Sequence, residues 1–199
     1  GKLTAHAKCG RAMGGLAGDA LLNYAFETAA EAFDKSTDLR RTAKALQILS
    51  RKAGIYGMIG GQVVDVQSTG KAVDQETLDF IYELKTGALL EASMMVGAVL
   101  AGATEEEVAV IEQIASDVGL AFQIRDDILD ETSTLETLGK PIHSDERNEK
   151  TTYVTLKGLE QATKDVEEIS SRGLKRLAEL PYENEFLTEL IKALVYREK

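Results

Sequence analysis

The stretch Leu120-Ala121-Phe122-Gln123-Ile124-Arg125-Asp126-Asp127-Ile128-Leu129-Asp130 decides how this chain folds. At about 100° per residue, Gln123, Asp126, Asp127 and Asp130 share a helical stripe about 100° wide. The residues between them are mostly apolar, so the segment is predicted as a helix with one face in a core and an acidic stripe beside it. Three carboxylates so crowded repel one another. They also stand near the C-terminal end of the helix, where the backbone dipole disfavours anions. A bound cation removes both penalties, and hard oxygen ligands of this kind suit Mg²⁺. The spacing alone fits a solvated acidic face with a capping aspartate equally well, but the apolar flanks favour a site.

Working outward, Thr104-Glu105-Glu106-Glu107 is a capping box that starts this helix. Upstream, a third helix is predicted from Asp74 or Val73 to about Ala101. On it Lys85 shares a face with Leu78, Tyr82, Leu89 and Val96, while Glu76, Asp79, Glu83 and Glu91 face the other way. A lysine on an apolar face either snorkels to water or pairs with an anion. Before it, a helix is predicted from Asp38 to about Val66, and another over Ala5–Asp34. Gly54, Gly57, Gly60 and Gly61 cost about 1 kcal/mol each against alanine, so close backbone packing or a ligand must offset them. Gly60-Gly61-Gln62 through Asp65 reads as helix packing with a polar edge.

Downstream, Glu131–Glu149 is a long polar connection holding Gly139-Lys140-Pro141 and Ser144-Asp145, and loops of that length are usually functional or disordered. Helices are predicted near Lys150–Lys157, Leu159–Leu180 and Asn184–Tyr196. Almost nothing alternates with period 2. The expectation is a single all-α domain over residues 1–199, a helical bundle.

Composition agrees. Of 199 residues, 2 are proline, where average usage gives about ten, so long helices run unbroken. The net charge of -10 argues against a nucleic-acid partner, since phosphate contacts need a basic surface. The single cysteine, Cys9, excludes an internal disulfide and a multi-thiolate zinc site, and points to a cytoplasmic setting. The longest uncharged run, Ala92–Thr104, is too short for a membrane span, which needs about 20 residues. His6 and His143 read as surface or packing residues, and no catalytic triad assembles from them.

Together these motifs resemble the short-chain trans-prenyl diphosphate synthases, most closely the bacterial farnesyl diphosphate synthases. Phe122–Asp130 resembles the family's second aspartate-rich motif. Gly60-Gly61-Gln62, Lys85-Thr86-Gly87-Ala88-Leu89 and Gly139-Lys140-Pro141 with Ser144-Asp145 and Lys150 are similar to its other motifs, in order. Leu16-Ala17-Gly18-Asp19 resembles the stretch after the family's first aspartate-rich motif, which the resemblance places before Gly1. Ile81 and Tyr82 depart from a histidine or other basic residue that the family often carries there.

The resemblance implies an isoprenoid-synthase bundle around an aspartate-lined cavity. Asp126, Asp127 and Asp130 would hold Mg²⁺, and Lys85 and Lys140 would bind an allylic diphosphate. Thr86 and Gln123 would line the reacting carbon. It implies condensation of isopentenyl diphosphate with a dimethylallyl or geranyl diphosphate to give farnesyl diphosphate, in a homodimer. The alternatives are a geranylgeranyl or longer-chain synthase, or a non-catalytic helical partner subunit. Without the first motif, the 199-residue chain alone is expected to be inactive.

Overall fold

The computed structural model describes residues 2–133 and 150–197. Among them every regular element is helical, as the sequence predicts. The chain runs α1 (Ala5–Cys9), α2 (Arg11–Ala30), α3 (Ala32–Lys35), α4 (Leu39–Ala53), α5 (Met58–Ser68) and α6 (Gln75–Tyr82). A π-helical turn (Glu83–Gly87) leads into α7 (Ala88–Ala101), followed by α8 (Glu105–Thr132). After the connection come α9 (Tyr153–Lys157), α10 (Leu159–Ala178) and α11 (Glu185–Val195).

The long helix α8 is the spine. Its start is fixed by the expected capping box: Thr104 accepts from the Glu107 N–H, and the Glu107 carboxylate accepts from the Thr104 N–H. Ile114, Val118, Ala121 and Ile124 are almost fully buried along it. One side packs on α10 through Ala162, Val166 and Ile169; the other packs on α7, which α4 covers in turn. Each large aliphatic side chain buried there contributes about 1.5–3 kcal/mol.

Two charged clips cross these layers. Lys52 of α4 donates to Glu91 of α7 and, at 2.7 Å, to Glu112 of α8. Buried Asp117 of α8 accepts from Arg172 at 2.6 Å and from Arg176, both on α10.

Three predicted helices are divided. The helix expected over Ala5–Asp34 breaks at Gly10, whose φ of 84° only glycine adopts freely, and again at Glu31. The one expected over Asp38–Val66 bends at Gly54–Gly57, where the chain turns between α4 and α5. The third is continuous in direction but takes one wider turn at Glu83–Gly87. Apolar spacing does not reveal an extra residue in a turn, so periodicity read straight through it.

Helices α1, α2 and α3 bury none of their residues, and Met13, Leu16, Leu21 and Tyr24 are more than half exposed. The stretch Gln75–Ala101 is long and apolar enough to cross a membrane by length and composition. It packs between α4 and α8, and it carries Glu83, Lys85 and Glu91. Inner core helices of this kind pass the same test.

Candidate active site

A cleft opens between α5, α6, the π turn, α8 and residues 150–152. Asp65, Tyr82, Lys85, Gln123, Asp126, Asp127 and Lys150 all line it. Backbone approach builds one wall. A Cβ on Gly61 would stand 2.4 Å from the Lys85 backbone nitrogen and 2.8 Å from the Leu84 carbonyl carbon. Only glycine lets α5 lie against the π turn so closely, which is the close packing that the glycine-rich stretch demands.

That contact sets Asp65 beside Lys85. The Lys85 ammonium donates to Asp65 Oδ2 at 2.7 Å, and Lys150 donates to both Asp65 oxygens at 2.9 and 3.1 Å. Burial pushes the Asp65 carboxyl up, but hydrogen bonds and positive charge from Lys85 and Lys150 outweigh it and hold the group below its ordinary value. The segment carrying Lys150 is tied to the start of α6, where the Val73 N–H donates to Thr151 Oγ1 at 3.2 Å.

The facing wall is the aspartate stripe of α8. Asp126 accepts from Arg197 Nη2 at 2.8 Å. Asp127 accepts from the Tyr82 hydroxyl and, at 2.7 Å, from the Tyr153 backbone N–H. Tyr153 in turn donates its hydroxyl to Asp165 at 2.8 Å, and burial followed by that negative charge pushes its phenol well up. Gln123 lies one turn before Asp126 on the same wall.

The structure therefore brings Lys85, Gln123, Asp126 and Asp127 to one cleft. Thr86 sits half-buried on the same π turn but does not line the cleft. Asp130 is buried one turn further along α8. Lys140, with Gly139 and Pro141, lies outside the described residues. Sequence reasoning missed Asp65 and Arg197, whose partners are remote in the chain. Asp65 had one available signal: it lies one turn past a glycine pair that had to touch another backbone.

Among the described residues, no three His, Cys, Asp or Glu side chains converge as a closed metal cage. The donor set is open: Asp126 and Asp127 reach the cleft, opposite two ammonium groups. This fits Mg²⁺, which takes one or two carboxylates, keeps waters and shares phosphate oxygens.

Residues 1–185 match the family model described as polyprenyl synthetase. The chain belongs to the polyprenyl synthetase family. It is 38% identical over 200 residues to farnesyl diphosphate synthase of Escherichia coli K12, covering 98% of this chain and 67% of that one. To geranylgeranyl diphosphate synthase of Cyanophora paradoxa it is 44% identical over 168 residues, covering 84% of this chain and 56% of the relative. A Helicobacter pylori geranyltransferase, solved with magnesium and isoprenyl diphosphate, superposes with a TM-score of 0.81 at 34% identity, over 98% of this chain and 63% of that one. The chain thus spans about half to two thirds of the polyprenyl synthetases it matches.

Proposed function

We propose that this chain forms the diphosphate-holding side of a trans-prenyl diphosphate synthase, which joins isopentenyl diphosphate to an allylic diphosphate. The observation that carries this reading is the cleft itself, where two ammonium groups face two carboxylates of one helix. A site of that polarity suits a polyanion that brings its own divalent cation.

Ionisation of an allylic diphosphate leaves a carbocation and a departing diphosphate. Lys85 and Lys150 would stabilise charge as it grows on the leaving group, and the resemblance assigns Lys140 the same part. Asp126 and Asp127, with Asp130 next along the helix, would hold Mg²⁺, whose bound charge further neutralises the diphosphate. The Gln123 amide oxygen would present its negative dipole end to the cation. Val73, Leu78 and Ile81, which also line the cleft, would help to keep out water that quenches it.

Farnesyl diphosphate is the product we favour, since the motif pattern resembles that of bacterial farnesyl diphosphate synthases such as the Escherichia coli relative. Geranylgeranyl diphosphate is the second reading, favoured by the Cyanophora relative. We also propose a homodimer, for which the exposed apolar side chains of α2 supply a surface.

The test is to incubate the full gene product with isopentenyl diphosphate and dimethylallyl or geranyl diphosphate, with and without Mg²⁺, and to resolve products by chain length. Mg²⁺-dependent chain extension is expected. A protein that binds pyrophosphate with Mg²⁺ yet never extends an allylic substrate would be a partner subunit instead.

A further inference from the structure

We propose that Asp65 is a positioning residue: its carboxylate converges the ammonium groups of Lys85 and Lys150 on one wall of the cleft and does not hold metal. The inference rests on reading the cleft as a diphosphate site.

The two lysines come from elements with no other reason to aim at one point. Lys85 leaves the π turn, and Lys150 leaves the segment just before α9. Each side chain is long and rotamer-rich, so neither holds a direction unaided. Asp65 supplies it. Its Oδ2 accepts from both ammonium groups and its Oδ1 from Lys150, all between 2.7 and 3.1 Å.

The carboxylate has only 13% of its side-chain surface exposed, and α5 is locked against the π turn through Gly61. It is a fixed anchor. It faces the same cleft as Asp126 and Asp127, so its residue type alone would suit a third metal ligand. The partners say otherwise, because both oxygens already accept from cations. Two lysines against one aspartate leave a single net positive charge on this wall, with both ammonium groups within reach of one phosphate group.

The sign of the effect separates positioning from simple attraction. Asp65→Asn keeps the shape and removes a negative charge, so affinity for an anion is not expected to fall. What it removes is the shared aim of two cations, which acts on the ionisation step. Turnover should therefore drop while KM does not rise.

Two measurements test this. In the first, reductive methylation of wild-type chain and of Asp65→Asn is followed lysine by lysine by mass spectrometry. Lys85 and Lys150 should react several-fold faster in the variant, with exposed Lys44 unchanged. If Asp65→Asn does not fold, Asp65→Glu gives the same readout with a smaller rise. In the second, the full gene product carrying Asp65→Asn should lose at least tenfold in kcat, keep its KM for the allylic diphosphate, and need Mg²⁺ within twofold of wild type. Partial recovery by Asp65→Glu is expected. Unchanged reactivity at either lysine overturns the proposal, and so does a raised Mg²⁺ requirement, which would make Asp65 a metal ligand. If wild type carries out no prenyl transfer but both lysines are released together, the function reading fails and the positioning role stands.

Discussion

Arg197 ends its reach on Asp126, 71 residues earlier in the chain, with Nη2 2.8 Å from Oδ1. Its guanidinium lies 3.9 Å over the Phe122 ring, and its own carbonyl oxygen accepts from Arg125 at 2.8 and 3.0 Å. Its Nε is buried without a hydrogen-bond partner among the described residues. A cation thus already sits on one of the carboxylates that would hold Mg²⁺.

Competition follows from that placement. Arg197→Ala removes a positive charge next to Asp126, and an ion pair this accessible is worth about 1 kcal/mol, or roughly fivefold in affinity. Mg²⁺ should bind the variant more tightly in the absence of diphosphate. Isothermal titration with Mg²⁺ alone reads this directly, and equal or weaker binding would show that the arginine does not compete.

Removing the cations assigned to the diphosphate should act on turnover. In the full gene product, Lys85→Ala and Lys140→Ala should each lower kcat roughly 100- to 1,000-fold, the range seen when one group that stabilises developing charge is lost. Steady-state kinetics with an allylic diphosphate check this. Wild-type rates in the Lys85 variant would remove the π turn from the active site.

Lys52 predicts a pH effect with a definite sign. Burial pulls its ammonium down, but the hydrogen bonds it donates to Glu112 and Glu91, with their negative charges, more than restore it, so it titrates above its ordinary 10.5. The stability it contributes is fully present below 10.5 and is lost as pH rises through the higher folded value. Its partner Glu91 is pushed up by burial, and Lys52 draws it only part way back. Lys52→Met should therefore cost about 3 kcal/mol by leaving a buried carboxylate without its cation. Urea denaturation at pH 7 measures the loss. Thermal melts between about pH 9 and 12 should decline less steeply in the variant than in wild type.

Gly61 predicts a steric effect. The 2.4 Å approach to the Lys85 nitrogen forces backbone to move when any Cβ is added. Gly61→Ala should cost about 1–3 kcal/mol, as overpacked sites do. It should also weaken pyrophosphate binding in the presence of Mg²⁺, because Lys85 and Asp65 shift together. A melt combined with calorimetry distinguishes this from a purely structural defect, in which the folded fraction would bind as wild type does.

The helix starts that carry a capping side chain were legible because that signal is local. Thr104, Asp74 and Asn184 each accept from an N–H three residues on, as their side chains promise. The aspartate stripe was legible because it lies on one helix. Asp65 was not, since its partners stand 20 and 85 residues away and nothing in its own neighbourhood names them. Arg197 was hidden for the same reason. Thr86 was placed at the reacting carbon by resemblance; it lies on the π turn next to Lys85, outside the residues that line the cleft.

The turn at Glu83–Gly87 makes chain length a chemical variable in this region. An α-helix given one additional residue is rephased by roughly a quarter of a revolution from that point on. Tyr82, which donates to Asp127, and Ala88, which is buried in the core, straddle the rephased turn. Excising a single residue between them would let the helix wind evenly, and it would do so without changing any residue that touches the cleft. The hydroxyl and the lysine would then swing out of register with the carboxylates, as a key does when one notch is filed away. The spacing between Tyr82 and Ala88 is thus as much a part of the site as any side chain in it.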